Sequence, residues 1–296
     1  MAGFTVDAVV GHGSSADVYR AHHADHPNPL ALKVLHSDES GSTRARERFE
    51  REFSIASLLD HPNIVSMIAS GEVNTPHPQS GHAALWLAMQ YVPGPSAISL
   101  IPNENRQPRI RAVLRVAQQI GIALDYAHSQ EVLHRDVKPA NILLTSDTDD
   151  TDALLSDFGI AQLLDDTRPL ARNGRVQGSI AYAAPELLQA QQLSPATDLY
   201  AFACSLVELL TGLPPYPRNT AFAITYAHIK DPPPQLTRRQ PWLPSSLNSV
   251  FAKALAKEPG DRYQTSAELV DIITRTLRDV PVPTPAPRRR GWIRGH

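Results

Sequence analysis

The run His134-Arg135-Asp136-Val137-Lys138-Pro139-Ala140-Asn141 sets a carboxylate, an ammonium and an amide at short fixed offsets. Asp157-Phe158-Gly159 begins sixteen residues after Asn141. These residue types are the ones phosphoryl transfer to an alcohol needs: a base near the attacking hydroxyl, a cation near the moving phosphate, and hard oxygen ligands for magnesium. Asp136 suits the first task, Lys138 the second, and Asn141 with Asp157 the third. A lone aspartate or lysine means little. Eight residues in this joint pattern, followed by Ile142-Leu143-Leu144, make coincidence a poor account.

In this order the two blocks resemble the catalytic loop and metal-binding turn of eukaryotic-type (Hanks-type) protein Ser/Thr kinases of the bacterial PknB-like kind. Further motifs fall in that family's order over about residues 4–279. The resemblance implies an α+β, two-lobed protein kinase fold. A small β-rich N-lobe with one main helix is expected over 1–90, a larger, mostly helical C-lobe over 91–279, and a Pro/Arg-rich flexible tail over 280–296. It also implies that ATP binds with Mg2+ (Mn2+ as an alternative) between the lobes. The γ-phosphate then passes to Ser/Thr hydroxyls of protein substrates, the chain itself included. Lys138, two residues past Asp136, implies Ser/Thr rather than Tyr specificity.

The elements that must position these groups follow from pattern. Thr5 to Val10 reads as a strand, Gly11-His12-Gly13-Ser14-Ser15-Ala16-Asp17-Val18-Tyr19-Arg20 follows as a glycine turn, and a second strand runs to about His22. Glycines let backbone N–H groups approach phosphate oxygens with no Cβ in the way. Taken alone this is equally an ordinary hairpin turn, and no helix opens after it as a dinucleotide fingerprint requires. It resembles the kinase glycine-rich loop, with Ala16 where the third glycine usually stands, so a stiffer loop is expected. Val10, Gly11 and Gly13 are then expected to cover the nucleotide, with Val18 and Ala31 above the adenine and Leu143 below.

A lysine within the apolar strand Leu30–Leu35 ordinarily snorkels to the edge. By resemblance Lys33 holds the α- and β-phosphates and is oriented by a glutamate on the next helix, expected over Arg44 to Leu59. Glu52 fits that part best, judged by its distance to His61-Pro62-Asn63-Ile64-Val65; Glu47 and Glu50 read as a solvated face. Met89-Gln90-Tyr91-Val92 resembles the hinge, with Met89 bordering the adenine and the backbone of Gln90 and Val92 bonding its edge.

Beyond the hinge, Ser96 to Pro108 gives no clear element. Apolar spacing predicts a long helix over Ile110 to Ser129, with Gly121 permitting close packing. Leu199 to Leu210 is nearly all apolar and reads as a buried helix; further helices are expected near 221–229, 247–256 and 266–277. Asp198 resembles the aspartate that anchors the catalytic loop, and Arg262 the arginine that pairs with Glu186 of Ala184-Pro185-Glu186. His134 reads as a packing residue. The stretch Ser146–Asp152 lacks the glycine and glutamate of a calcium loop and reads as a solvated acidic tip. Between Asp157 and Glu186 the hydroxyl-bearing residues are Thr167, Ser179 and Tyr182. Thr167 is the better phosphorylation candidate and Ser179 a structural support. With so few acceptors, little dependence on phosphorylation of this segment is expected.

A net charge of -2 over 296 residues gives no reason to expect nucleic-acid binding. The single Cys204 fits a reducing cytoplasm and, inside an apolar helix, an inert thiol. No apolar run approaches a membrane span and no signal-peptide pattern opens the chain. The tail, with Arg288–Arg290 and Trp292, reads first as solvated chain and second as a partner contact. Two rivals stand beside the kinase reading. A nucleotide-binding pseudokinase scaffold is disfavoured by the presence of Lys33, Glu52, Asp136, Asn141 and Asp157. A small-molecule phosphotransferase is disfavoured by the Ala-Pro-Glu segment, Lys138 and Arg262.

Overall fold

The computed structural model describes residues 3–13, 16–35, 43–73, 84–104, 106–158, 171–172, 175–176 and 178–281, with the backbone alone described at 43–46, 48, 51–52, 171–172, 175–176 and 178–179. Among them a five-stranded antiparallel sheet comes first: β1 (Phe4–His12), β2 (Ala16–His23), β3 (His26–Leu35), β4 (Met67–Val73) and β5 (Ala84–Gln90), in spatial order β1-β2-β3-β5-β4. Ala24-Asp25 turns β2 into β3 without a glycine, and the Asp25 N–H donates to His23 Nδ1 at 3.2 Å. β3 therefore starts four residues ahead of the expected Leu30. Pro27 and Pro29 are tolerated because β3 pairs with β5 only from Leu30 onward, so the missing N–H groups break no second ladder.

Helix α1 (Thr43–Ala56) lies on the sheet. Phe49 is buried with Leu35, Val65, Leu85, Leu87 and Leu154. The helix stops three residues short of the expected Leu59. Leu59 and Ile64 then enter the core of the helical half, and Val65 N–H and Leu155 N–H bond across to the Leu155 and Asn63 carbonyls at 3.0 and 2.8 Å. This strap ties the sheet half to the strand that precedes Asp157.

The second half holds α2 (Ile110–Ser129), the hairpin β6 (Ile142–Leu144)–β7 (Ala153–Leu155), the short pair β8 (Ala171–Arg172)–β9 (Arg175–Val176), α3 (Pro185–Leu188), α4 (Pro195–Thr211), α5 (Ala221–Lys230), α6 (Leu236–Arg239), α7 (Ser246–Ala254) and α8 (Ser266–Leu277). A 3-10 turn, Ala97–Leu100, fills the stretch that pattern left unassigned. α4 is the centre of the core: Ser194 and Thr197 form a capping box, 14 of its residues from Thr197 to Thr211 are buried, and Gly212 ends it at φ +85°. A Cβ at Gly212 would stand 2.6 Å from the Pro102 carbonyl oxygen, so glycine serves both the turn and the approach. α2 and α8 pack across Gly121, where a Cβ would lie 3.3 Å from Val270 Cγ2. Asp125, one turn on, accepts from the Ser266 and Ala267 N–H groups at 2.8 and 2.9 Å and so caps α8.

The acidic stretch is not simply solvated. Arg109 bonds Asp149 through Nε at 2.7 Å and Asp147 through a terminal nitrogen at 2.6 Å. Arg115 and Gln119 both donate to Asp152 at 2.7 Å. The tip is stapled to α2 because two arginines on its outer side meet the carboxylates, a contact 30 to 40 residues distant that local pattern does not carry. Among the described residues, no helix is long and apolar enough to cross a membrane.

Candidate active site

The loop between α2 and β6 is held from beneath by one buried carboxylate. Asp198, near the start of α4 and fully buried, accepts the His134 N–H at 2.8 Å, the Arg135 N–H at 2.6 Å and a hydrogen bond with His128 Nε2 at 2.8 Å. Burial alone would raise its pKa; the bond to His128 and the surrounding donors outweigh that and hold the carboxyl below its usual value. Arg135 sits at φ +67°, a left-handed conformation that a side-chain-bearing residue keeps only when its surroundings enforce it. Asp198 is that enforcement.

His134 is fully buried. Its Nδ1 accepts the Asp136 N–H at 3.2 Å, so Nε2 carries the hydrogen and donates to the Ser156 carbonyl at 2.8 Å. Its ring lies 4.6 Å from that of Phe158. Both nitrogens are thus committed to backbone, as a packing residue's would be. The histidine spans from the backbone of Asp136 to the residue before Asp157, which sets the two loops at a fixed separation.

The expected reactive groups meet above this base. Lys138 Nζ donates to Asp136 Oδ2 at 2.7 Å. Asn141 Nδ2 donates to the Asp136 carbonyl at 2.8 Å and to Asp136 Oδ2 at 3.0 Å. Lys33, from β3, reaches Asp157 Oδ1 at 2.7 Å across 124 residues of sequence. Asp157 sits at φ +64° and its side chain keeps 27% exposure. Burial pushes its pKa up; the Lys33 ammonium, with a smaller push from Lys138, outweighs burial and keeps the carboxyl ionised. Asn141 spends its amide hydrogens on Asp136, so its carbonyl oxygen is the atom it offers elsewhere.

The expected nucleotide residues also converge. Val18, Ala31, Met89, Val92 and Leu143 belong to one apolar cluster between the sheet and β6. Val10 stands about half exposed at a break in the β1–β2 register, Gly11 pairs with Val18, and the Gly13 N–H bonds the Ala16 carbonyl at 2.9 Å. Ala16 is buried, its methyl packed in that same cluster. The Gln90 N–H is already bonded to the Ser66 carbonyl at 2.9 Å, which leaves its own carbonyl as the backbone group to face a base. Val92 is buried at the hinge. The side chain of Glu52, with Gly159, Thr167, the side chain of Ser179, and residues 74–83 and 282–296, lies outside the described residues.

The floor beside this site is tied from α4, from α5 and from Arg262, just past the 3-10 turn Pro259–Asp261. Arg262 grips Glu186 with two bonds, 2.7 and 2.8 Å, and spends its other donors on the carbonyls of Ala196, Ala256 and Lys257. Tyr182 donates to Glu208 on α4, and His228 on α5 reaches the Ala181 carbonyl. The parts of His128, Glu208 and His228 escaped sequence reading. Their partners are 26 to 70 residues away, and no periodic pattern distinguishes them from core residues.

The protein kinase domain model matches residues 4–281 of the chain. It is 37% identical to the serine/threonine-protein kinase PknF of Mycobacterium tuberculosis over 99% of its own length and 62% of the relative's, and 39% identical to PknJ of the same species over 97% and 48%. The chain thus spans about half to three fifths of these curated relatives. The crystal structure of the Mycobacterium tuberculosis PknI kinase domain superposes with a TM-score of 0.72 at 32% identity, covering 93% of this chain and 96% of that one. With the two-lobed fold and the family match over nearly its whole length, the chain belongs to the protein kinase domain family.

Proposed function

We propose that the protein is an ATP-dependent protein Ser/Thr kinase of the bacterial type. One observation carries the reading: Lys33 from the sheet and Asp157 from the helical half meet at 2.7 Å, and Lys138, bonded with Asn141 to Asp136, acts electrostatically on the same Asp157 carboxyl. Asp136 is the group to orient the acceptor hydroxyl and take its proton. Lys138, paired with that carboxylate, is placed to offset charge on the phosphate in transfer. Lys33, once ATP competes for it, binds the α- and β-phosphates, with Glu52 proposed to orient it. Val10, Gly11, Gly13, Val18, Ala31, Met89, Gln90, Val92 and Leu143 enclose the nucleotide.

Family membership brings a divalent cation with ATP. The donor set fits one: an ionised Asp157 and the amide oxygen of Asn141 are hard oxygen ligands of the kind Mg2+ and Mn2+ take. When bound, the cation neutralises phosphate charge. Mg2+ is proposed as the working ion, with Mn2+ able to replace it. We further propose a division into a nucleotide-covering half (1–90), a substrate half (91–279) and a tail (280–296), and a cytoplasmic setting, as one cysteine and ATP suggest.

The test is transfer from radiolabelled ATP to myelin basic protein, run beside Asp136→Asn. Label on Ser or Thr, reduced at least about 100-fold in the variant, is expected. ATP binding without transfer would point to a pseudokinase scaffold. Transfer to a small molecule with none to protein would point to the other rival.

A further inference from the structure

His228 is fully buried on α5, yet both of its ring nitrogens are engaged. Nε2 lies 3.1 Å from the Ala181 carbonyl oxygen and Nδ1 lies 3.0 Å from the Tyr200 hydroxyl. A carbonyl only accepts, so Nε2 carries the hydrogen and Nδ1 accepts from Tyr200. The tautomer is thereby fixed. The Tyr216 ring stands edge-on 4.9 Å away, and Lys257 Nζ bonds the His228 carbonyl at 2.6 Å and the Tyr216 hydroxyl at 3.0 Å. Ring, tautomer and backbone are all set by neighbours.

Tyr200 connects this histidine to a second anchor. Its ring lies 4.7 Å from the guanidinium carbon of Arg262, the arginine that grips Glu186. The tyrosine of α4 therefore touches both the clamp at the end of segment 178–186 and the histidine beneath its middle. Ala181 sits in the turn Gly178–Tyr182, three residues before Ala184-Pro185-Glu186. None of Tyr200, His228 or Ala181 belongs to the apolar cluster around the expected nucleotide.

We propose that His228 is a positioning residue for the protein substrate: through Ala181 it fixes the backbone of the turn Gly178–Tyr182, whose sequence resembles the substrate-docking loop of protein kinases, with Tyr200 setting its tautomer. The inference rests on the protein-kinase reading above. It separates substrate positioning from nucleotide binding, which a purely structural role would not do.

The test uses the full chain with myelin basic protein as probe. His228→Leu fills the volume but has no donor for Ala181; His228→Gln keeps an N–H at similar reach. His228→Leu is expected to raise KM for the protein probe about tenfold, the size of one lost hydrogen bond. KM for ATP should stay within about twofold, and His228→Gln should restore most of the loss. Tyr200→Phe keeps the ring beneath Arg262 and removes the hydrogen given to Nδ1; a smaller rise in the same direction is expected. An unchanged protein KM in both His228→Leu and Tyr200→Phe overturns the proposal, as does a parallel rise in both KM values. Should His228→Leu fail to fold, Tyr200→Phe decides alone. If the unaltered chain labels no protein at all, the kinase reading fails first and this inference falls with it.

Discussion

Asp198 shows how much one buried side chain sets at this site. It receives two backbone N–H groups and a histidine, and it keeps Arg135 in a left-handed conformation beside Asp136. Asp198→Ala leaves two buried amides without an acceptor and releases the strain they held in place. A loss of about 3 kcal/mol is expected, together with a fall in kcat that exceeds any change in ATP affinity. Chemical denaturation and steady-state kinetics on the same variant check this, and an intact kcat would refute the anchoring. Asp198 was legible through the family resemblance, which matched it to the aspartate that anchors the catalytic loop; helix pattern alone marked only the helix start at Ser194-Pro195-Ala196-Thr197. His128 was not, since it is a half-buried histidine in the last turn of α2 whose partner lies 70 residues away.

At the scale of elements, two amphipathic helices were readable to the residue: α2 and α8 run over the spans their apolar spacing predicts, Ile110–Ser129 and Ser266–Leu277, whereas α1 ends at Ala56, short of the expected Leu59. Short elements were not. The turn Ala97–Leu100 and helix α6 are too brief for a 3.6-residue period to repeat, and tertiary contacts decide them. Gly94 marks one such contact. A Cβ there would run into the Leu144 carbonyl oxygen and stand 2.8 Å from the Ser146 nitrogen, so hinge and β6 touch through backbone alone. Gly94→Ala is expected to cost about 1–3 kcal/mol in thermal unfolding and to weaken ATP binding, because Leu143 moves with β6. An ATP affinity equal to the parent's would count against that coupling. The Arg262–Glu186 clamp, both side chains almost fully buried, predicts a larger effect. Arg262→Ala strands a buried carboxylate and is expected to cost about 3–5 kcal/mol, with loss of protein-substrate turnover.

The whole molecule carries a pH dependence whose sign follows from its buried groups. Burial, reinforced by the Lys257 ammonium, lowers the His228 pKa from 6.5 to about 4. The unfolded chain therefore takes up a proton near 6.5 while the folded chain resists until about 4. Between those values the unfolded state binds more protons, so this group's contribution to stability falls as pH falls, by an amount on the order of 3 kcal/mol across the window. Glu208 acts oppositely: burial raises its pKa, so protonation on mild acidification relieves a cost of the folded state. Asp157 and Asp198, both lowered, lose their contributions only at more acid pH, as the pH falls through their own depressed values. A single melting curve mixes these terms. The difference between the parent and His228→Gln isolates one of them, because glutamine does not titrate. Stability measured by denaturant from pH 7.5 to 4.5 should fall more steeply in the parent than in the variant, the gap opening below about 6.5. Parallel curves would mean that His228 takes its proton in the folded state as readily as in the unfolded one, and that the buried bonds to Tyr200 and Ala181 are not maintained in solution.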